Sequence, residues 1–237
     1  MKTQTLLGTG LYSLSEAARY LRVPIVTLRR WTEGYTFTSS TKQKHHSSSV
    51  LPGQPFTVDG ETVITFADLV ELQFVQLFRK HGVSMAVIRA AALSAAQTFQ
   101  TEHPFNVRQF QTDGRRIFAE LDPSNIGEMT RERIVQDLAL GQTVIGPIAR
   151  LYFRKLDYES DKVSRWWPIG KDNRVVLDPE RNFGKPSDAV SNVPLHPLYR
   201  MVRAGESIET VARWYNVEVQ AVEAALQFES DYLLKAA

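Results

Sequence analysis

"YSLSEAARYLRVPIVTLRRW", Tyr12–Trp31, decides how the rest of the chain is read. Ser13 and Glu16 stand three apart ahead of an apolar run, the spacing at which a hydroxyl and a carboxylate each satisfy an orphan N–H at a helix start. Leu14, Ala17, Ala18 and Leu21 then recur at helical spacing. Pro24 cannot continue that helix but suits the first turn of a new one, so a second helix is expected from Pro24 or Ile25. Leu28 and Trp31 share one face of it, which leaves Val26, Thr27, Arg29, Arg30 and Glu33 outward. Arginine on such a helix reaches phosphate or guanine, and threonine reaches phosphate or a thymine methyl. The stretch therefore reads as a helix-turn-helix with a DNA-reading second helix, against the plainer reading of a solvated arginine face on a helical hairpin.

The residues beyond Trp31 favour DNA. "TSSTKQKHHSSS", Thr38–Ser49, is polar and Ser-rich and is expected to be a mobile loop, with Lys42 and Lys44 in reach of phosphate. His45 and His46 lack a Cys or carboxylate at ligand spacing, so no metal site is expected there. In "QPFTVDGETVITF" two strand-like runs flank Asp59-Gly60, a strong hairpin signal. Helical hairpin then β-hairpin is the layout of a winged helix-turn-helix. The expected DNA-binding set is Thr27, Arg29, Arg30, Lys42 and Lys44.

Further along, Thr65 and Asp68 cap a long amphipathic helix stopped near Gly82, and Ser84 caps an Ala-rich one from Met85 to Phe99. "FNVRQFQTDGRRIFAEL" is read as a second hairpin about Asp113-Gly114. A helix near Arg131–Leu140 is expected to end at Gly141, and Pro147–Tyr158 alternates as a strand. "VSRWWPIG" and "NRVVLDPE" read as two more short strands, with Trp166 and Trp167 as core or interface anchors. From Leu195 the pattern is helical again. "LHPLYRMVRAG", "SIETVARWYNV" and the final segment from Glu218 repeat a helix-turn-helix shape. Its exposed positions are expected to be acidic (Glu206, Glu209, Glu218, Glu223 and Glu229). That face would repel phosphate and suit a protein partner.

Composition agrees with two modules. Residues 1–118 hold 13 Lys/Arg against 8 Asp/Glu, and residues 119–237 hold 15 against 18, so a basic first half precedes an acidic second half. The expected fold is mainly α with small β-hairpins (α+β). It comprises a winged, MerR-like DNA-binding domain over 1–120 and a C-terminal domain over 140–237 with short strands and a three-helix unit. No apolar run approaches the roughly 18 residues of a membrane span, and Met1–Gly10 lacks a signal-peptide core, so a cytoplasmic protein is expected. The chain has no cysteine, hence no disulfide or thiolate chemistry. With no nucleophile motif, paired-carboxylate signature or phosphate loop, an enzyme is not expected, nor a cofactor.

The segments "DPERNFGKP" and "VPLHPLYRMVRAGESIETVARWYNVEVQAVEAALQFE" resemble the C-terminal domain of a bacterial domain-of-unknown-function family whose members are VapB-type antitoxins. "ITFADLVELQFVQLFRKHGVSMAVIRAAALSAA" and "HPFNVRQFQTDGRRIF" resemble the MerR-like domain that precedes it in longer members. Where many relatives carry a glycine-rich I-x-G-T-R-I-P segment, this chain reads "GKPSDAVSNVPLHP", without that Gly and Arg. The resemblance implies an antitoxin that occludes a PIN-domain ribonuclease toxin and represses its own operon by binding operator DNA. Arg200, Arg203 and Arg213 are the candidates for pairing with the toxin's carboxylates. A homodimer is expected, because one short recognition helix reads few bases. The Ala-rich helix and the C-terminal helix from Val219 to Leu234 are its candidate seams. The rival reading is a MerR-like regulator whose C-terminal half senses a small molecule.

Overall fold

Strand β1 (Leu11–Ser13) leads directly into α1 (Leu14–Leu21), and the two share Ser13 as last strand residue and helix cap. The capping box forms as read: the Ser13 hydroxyl accepts from the Glu16 N–H, and Glu16 accepts from the Ser13 N–H. Arg22 closes α1 in the left-handed region (φ 57°), and α2 (Ile25–Glu33) starts after Pro24. Leu28 and Trp31 are buried and Arg29 and Arg30 exposed. The computed structural model describes residues 8–38, 42, 44–51, 56–126 and 130–233.

The polar stretch after α2 departs from the expected mobile loop. β2 (Tyr35–Thr38) and β3 (Lys44–Ser47) pair antiparallel, Tyr35 opposite Ser47 and Thr38 opposite Lys44. Tyr35-Thr36-Phe37-Thr38 supplies β-branched and aromatic residues to one strand, and pairing outweighs the serine content of the other. The next hairpin lies where Asp59-Gly60 put it. β4 (Phe56–Val58) and β5 (Glu61–Thr65) flank it, and both turn residues have positive φ (51° and 80°), as a type I′ turn requires. β1 adds to β5, giving a three-stranded sheet in the order β1-β5-β4 that fixes the wing to α1.

Two long helices follow. In α3 (Phe66–Lys80) and α4 (Met85–Phe99), Thr65 and Ser84 act as the caps the sequence indicated. The alanine face of α4 is spent inside the chain: Ala91, Ala92 and Ala95 are buried, and the helix packs on α3 and on the segment at Pro104–Asn106. The region about Asp113-Gly114 is a helix, α5 (Gln109–Glu120), and not a hairpin. Phe110, Gly114, Ile117 and Phe118 form its buried stripe, and this 3.6-residue period overrides the turn dipeptide. Nor does Gly141 end a helix: α6 (Arg131–Thr143) runs through it, packed on α5. Pro147–Tyr158 is mostly helical, with α7 (Ala149–Phe153) preceding β6 (Leu156–Glu159), so the strand expectation holds only for its end. Phe153 packs on Phe74 of α3, and that burial selects the helical period over the alternating one.

β6 pairs with β7 (Lys162–Trp166), and β8 (Val175–Val176) with β9 (Ser187–Asp188). β9 lies in the segment that departs from the resembled family. Its buried Asp188 holds Arg174, which also pairs with Glu218 at the start of the last helix. Helices α8 (Leu195–Arg203), α9 (Ile208–Tyr215) and α10 (Val219–Leu226) form the three-helix unit, continued as a wider turn over Gln227–Leu233. Ala221, Val222, Ala224 and Ala225 of α10 are buried within the chain. One apolar core runs from Tyr12 to Phe228 through both halves. No helix among the described residues is long and apolar enough to cross a membrane.

Candidate nucleic-acid interface

The exposed face of α2 carries Ile25, Val26, Arg29 and Arg30. Arg29 lies 4.0 Å from Glu33, one turn on. Glu33 in turn accepts a 2.7 Å hydrogen bond from the Thr62 hydroxyl on the wing. Helix and wing are thus tied through one carboxylate, which also holds Arg29 near the wing. Thr27 differs from the expectation: it is half-buried and faces the flank of α2 rather than its crest.

Arg30 leads onto the unforeseen hairpin. Its guanidinium stacks over the Tyr35 ring (5.4 Å), Tyr35 touches Phe37 (5.7 Å), and Phe37 stacks on His45 (5.4 Å). Phe37 is 45% exposed, so a cation–aromatic strip runs outward from α2 along one face of the ribbon. Lys44 lies on β3 and Lys42 next to it, both exposed, so the structure brings all but Thr27 of the expected DNA set to the crest of α2 and this ribbon. Sequence reasoning missed Tyr35, Phe37 and His45. Their signal was the alternation Tyr-Thr-Phe-Thr, which the serine run beyond it hid.

The ribbon is anchored to α2 from behind. The Val50 N–H donates to the Trp31 carbonyl, as does the Ser49 hydroxyl. At Gly34 (φ 75°) a Cβ would stand 2.5 Å from the Ser47 carbonyl oxygen, so the return strand passes close enough to require glycine.

At the far end of the chain, Arg200 and Arg203 are exposed on α8 and Arg213 on α9, beside Trp214, which is 59% exposed. The expected acidic face is smaller than the sequence indicated. Glu229 is buried and holds Arg19 and His196, and the exposed Glu218 is paired with Arg174, which leaves Glu209 and Glu223 as the exposed members with no ion pair among the described residues. Ion pairing takes up charges that periodicity alone left open to a partner, and at Glu229 it does so in the interior.

Residues 10–92 match a family model described as "Putative DNA-binding HTH domain". This span holds β1 to most of α4, so the match to a DNA-binding helix-turn-helix takes in α1, α2 and both hairpins. The whole chain is similar to "Putative antitoxin VapB45" of Mycobacterium tuberculosis, at 27% identity over 91% of this chain and 92% of the relative. It is also similar to "Uncharacterized protein Rv2308" of the same organism, at 22% identity over 99% and 96% of the two chains. The crystal structure of Rv2018 from Mycobacterium tuberculosis superposes with a TM-score of 0.68 at 23% identity, covering 93% of this chain and 99% of that one. That likeness extends the α+β fold to nearly the full length.

Proposed function

We propose that the chain is the antitoxin of a toxin–antitoxin pair, binding operator DNA through α2 and its flanking ribbon and neutralising a PIN-type ribonuclease through its C-terminal unit. The observation that carries the DNA half is the exposure of Arg29 and Arg30 on the second helix of a helix-turn-helix whose span matches a DNA-binding family. The toxin half is supported by the similarity to an antitoxin over nine-tenths of the chain. Exposed Arg200, Arg203 and Arg213 offer guanidinium groups to the carboxylates of a metal-dependent nuclease. Trp214, next to Arg213 in α9 and 59% exposed, is the type of anchor that dominates protein interfaces.

The protein acts as a homodimer on a two-fold operator in this reading, since paired recognition helices supply the specificity that one lacks. The alanines of α4 and α10 that pack within the chain leave the outer face of α4, with Leu93 62% exposed, as the part of the expected seam open to a partner. The test is co-expression of the full chain with the product of the adjacent gene, followed by RNA-cleavage and gel-shift assays. Co-purification, suppressed cleavage and a retarded promoter fragment are expected. A chain that binds promoter DNA but no neighbouring product, and that melts higher on adding a small molecule, would favour the ligand-sensing regulator instead.

A further inference from the structure

A cleft of about 760 Å³ lies along the flank of α2, and its chemistry is one-sided. Thr27 and Trp31, one turn apart on α2, form one wall. Arg22 from the end of α1, Arg79 and Lys80 from the end of α3, and Lys155 from beyond α7 also line it. No aspartate or glutamate is in this lining. Among the described residues, no carboxylate lies within ion-pair distance of Arg79, Lys80 or Lys155, whereas most other arginines of the C-terminal strand region are paired. Arg79 and Lys155 each donate to one backbone carbonyl, of Val83 and Pro168, and keep further donors. Trp166 belongs to the same lining, and its indole N–H is buried without an acceptor.

We infer that this cleft seats backbone phosphate of the duplex that α2 enters, so that the DNA interface continues past the helix-turn-helix into the second half of the chain through Lys155. The inference rests on the DNA-binding reading above. A helix in the major groove, ~12 Å wide, has a sugar–phosphate strand along each flank. Cations gathered from three elements beside that helix meet one of those strands. A site for an apolar small molecule would need the opposite lining, mostly hydrophobic with few polar groups. Burial pulls the Lys155 ammonium below the usual lysine range, and a phosphate alongside would reverse that pull.

The experiment measures binding of the full-length chain to a short random-sequence duplex across a salt series, where phosphate neutralisation dominates. Each phosphate that is no longer neutralised lowers the slope of log affinity against log salt by about 0.9. Lys80→Ala and Lys155→Gln should each produce that drop, with the same effect on random and promoter DNA, while Lys162→Ala on β7 leaves the slope unchanged. Lys80 is exposed, so its variant reports even if Lys155→Gln folds poorly. Parental slopes in both cleft variants, with affinity still reduced in Arg29→Ala, would overturn this inference and leave the DNA reading standing. Failure of the parent chain to bind duplex at low salt would remove both. A second arm titrates inorganic phosphate and pyrophosphate without DNA. Saturable thermal stabilisation abolished by Lys155→Gln, together with unchanged salt slopes, would assign the cleft to a free anion and overturn the phosphodiester assignment.

Discussion

Asp188 is fully buried and accepts four hydrogen bonds, two from Arg174 and two from Ser191, which hold its carboxyl below the usual range despite the opposing pull of burial. Replacing it with alanine leaves Arg174 with Glu218 as its remaining carboxylate and the Ser191 donors unmet, a loss of charge-assisted hydrogen bonds that costs about 1–3 kcal/mol. Urea titration of Asp188→Ala should show that loss. Because its folded pKa is depressed, this stabilisation is complete above the unfolded aspartate value of ~3.9 and is lost as pH falls through the folded value. Glu71 behaves oppositely. It is buried on α3, where desolvation raises its pKa well above the ordinary value, although the Phe105 N–H donates to its carboxylate oxygens. An acid with a raised folded pKa binds more protons folded than unfolded, so its contribution to stability declines as pH rises above ~4.3 towards the folded value. Glu71→Gln keeps an acceptor for Phe105 without the charge. Melting temperatures in mildly acidic and mildly alkaline buffer should show a smaller alkaline decline in the variant than in the parent, and equal declines would refute the assignment. Neither role was legible in the sequence, where Glu71 is one polar residue in an apolar helix and Asp188 one acid in a loop.

At the scale of elements, local chemistry was read well and close approach was not. The capping box at Ser13, the caps at Thr65 and Ser84 and the Asp59-Gly60 turn are satisfied within a few residues of chain, so the sequence states them directly. Gly114 and Gly141 look like punctuation for the same local reason, yet their role is set by the side chains packed against them. A Cβ at Gly141 would stand 2.3 Å from the Phe118 ring, and one at Gly114 would stand 3.1 Å from Phe110. Gly141 is small because α5 and α6 cross there, and Gly114 because the Phe110 ring of its own helix and Ile145 crowd it. Gly141→Ala should therefore destabilise, by about 1–3 kcal/mol of overpacking, although alanine is the better helix former. A raised melting temperature would show that the ring can move aside. The element proposed to read DNA makes its own prediction. Arg29→Ala with Arg30→Ala should weaken promoter binding by about 1–3 kcal/mol for each arginine that reads a base edge, measured by gel shift at fixed salt. Phe37→Ala should weaken it further only if the ribbon lies on the duplex.

For the molecule as a whole, the basic and acidic halves marked in the sequence share one core. The Tyr12 hydroxyl donates a 2.7 Å bond to the Gly184 carbonyl, Lys185 pairs with Glu16, Arg19 with Glu229, and Tyr20 packs on Phe228. Composition showed where charge changes sign but held no trace of these pairings, which join residues with no local relation. Tyr12→Phe leaves a buried carbonyl unpaired and should cost about 1–3 kcal/mol. Denaturation followed at Trp31 in the first half and at Trp166 in the second should give coincident curves, shifted together in the variant. Separate transitions would show the two domains expected from the sequence to be independent units. The span of these pairings also sets a clock for the newborn chain. The partners of β1 and α1 lie 172 and 210 residues downstream. At a synthesis rate of ~5–20 residues per second, the α1–α2 pair waits roughly 10–40 s on the ribosome before the segment that braces it has emerged. A part of the protein made early is thus among the last to be finished, and every new molecule passes through an interval in which α1 and α2 exist without their support.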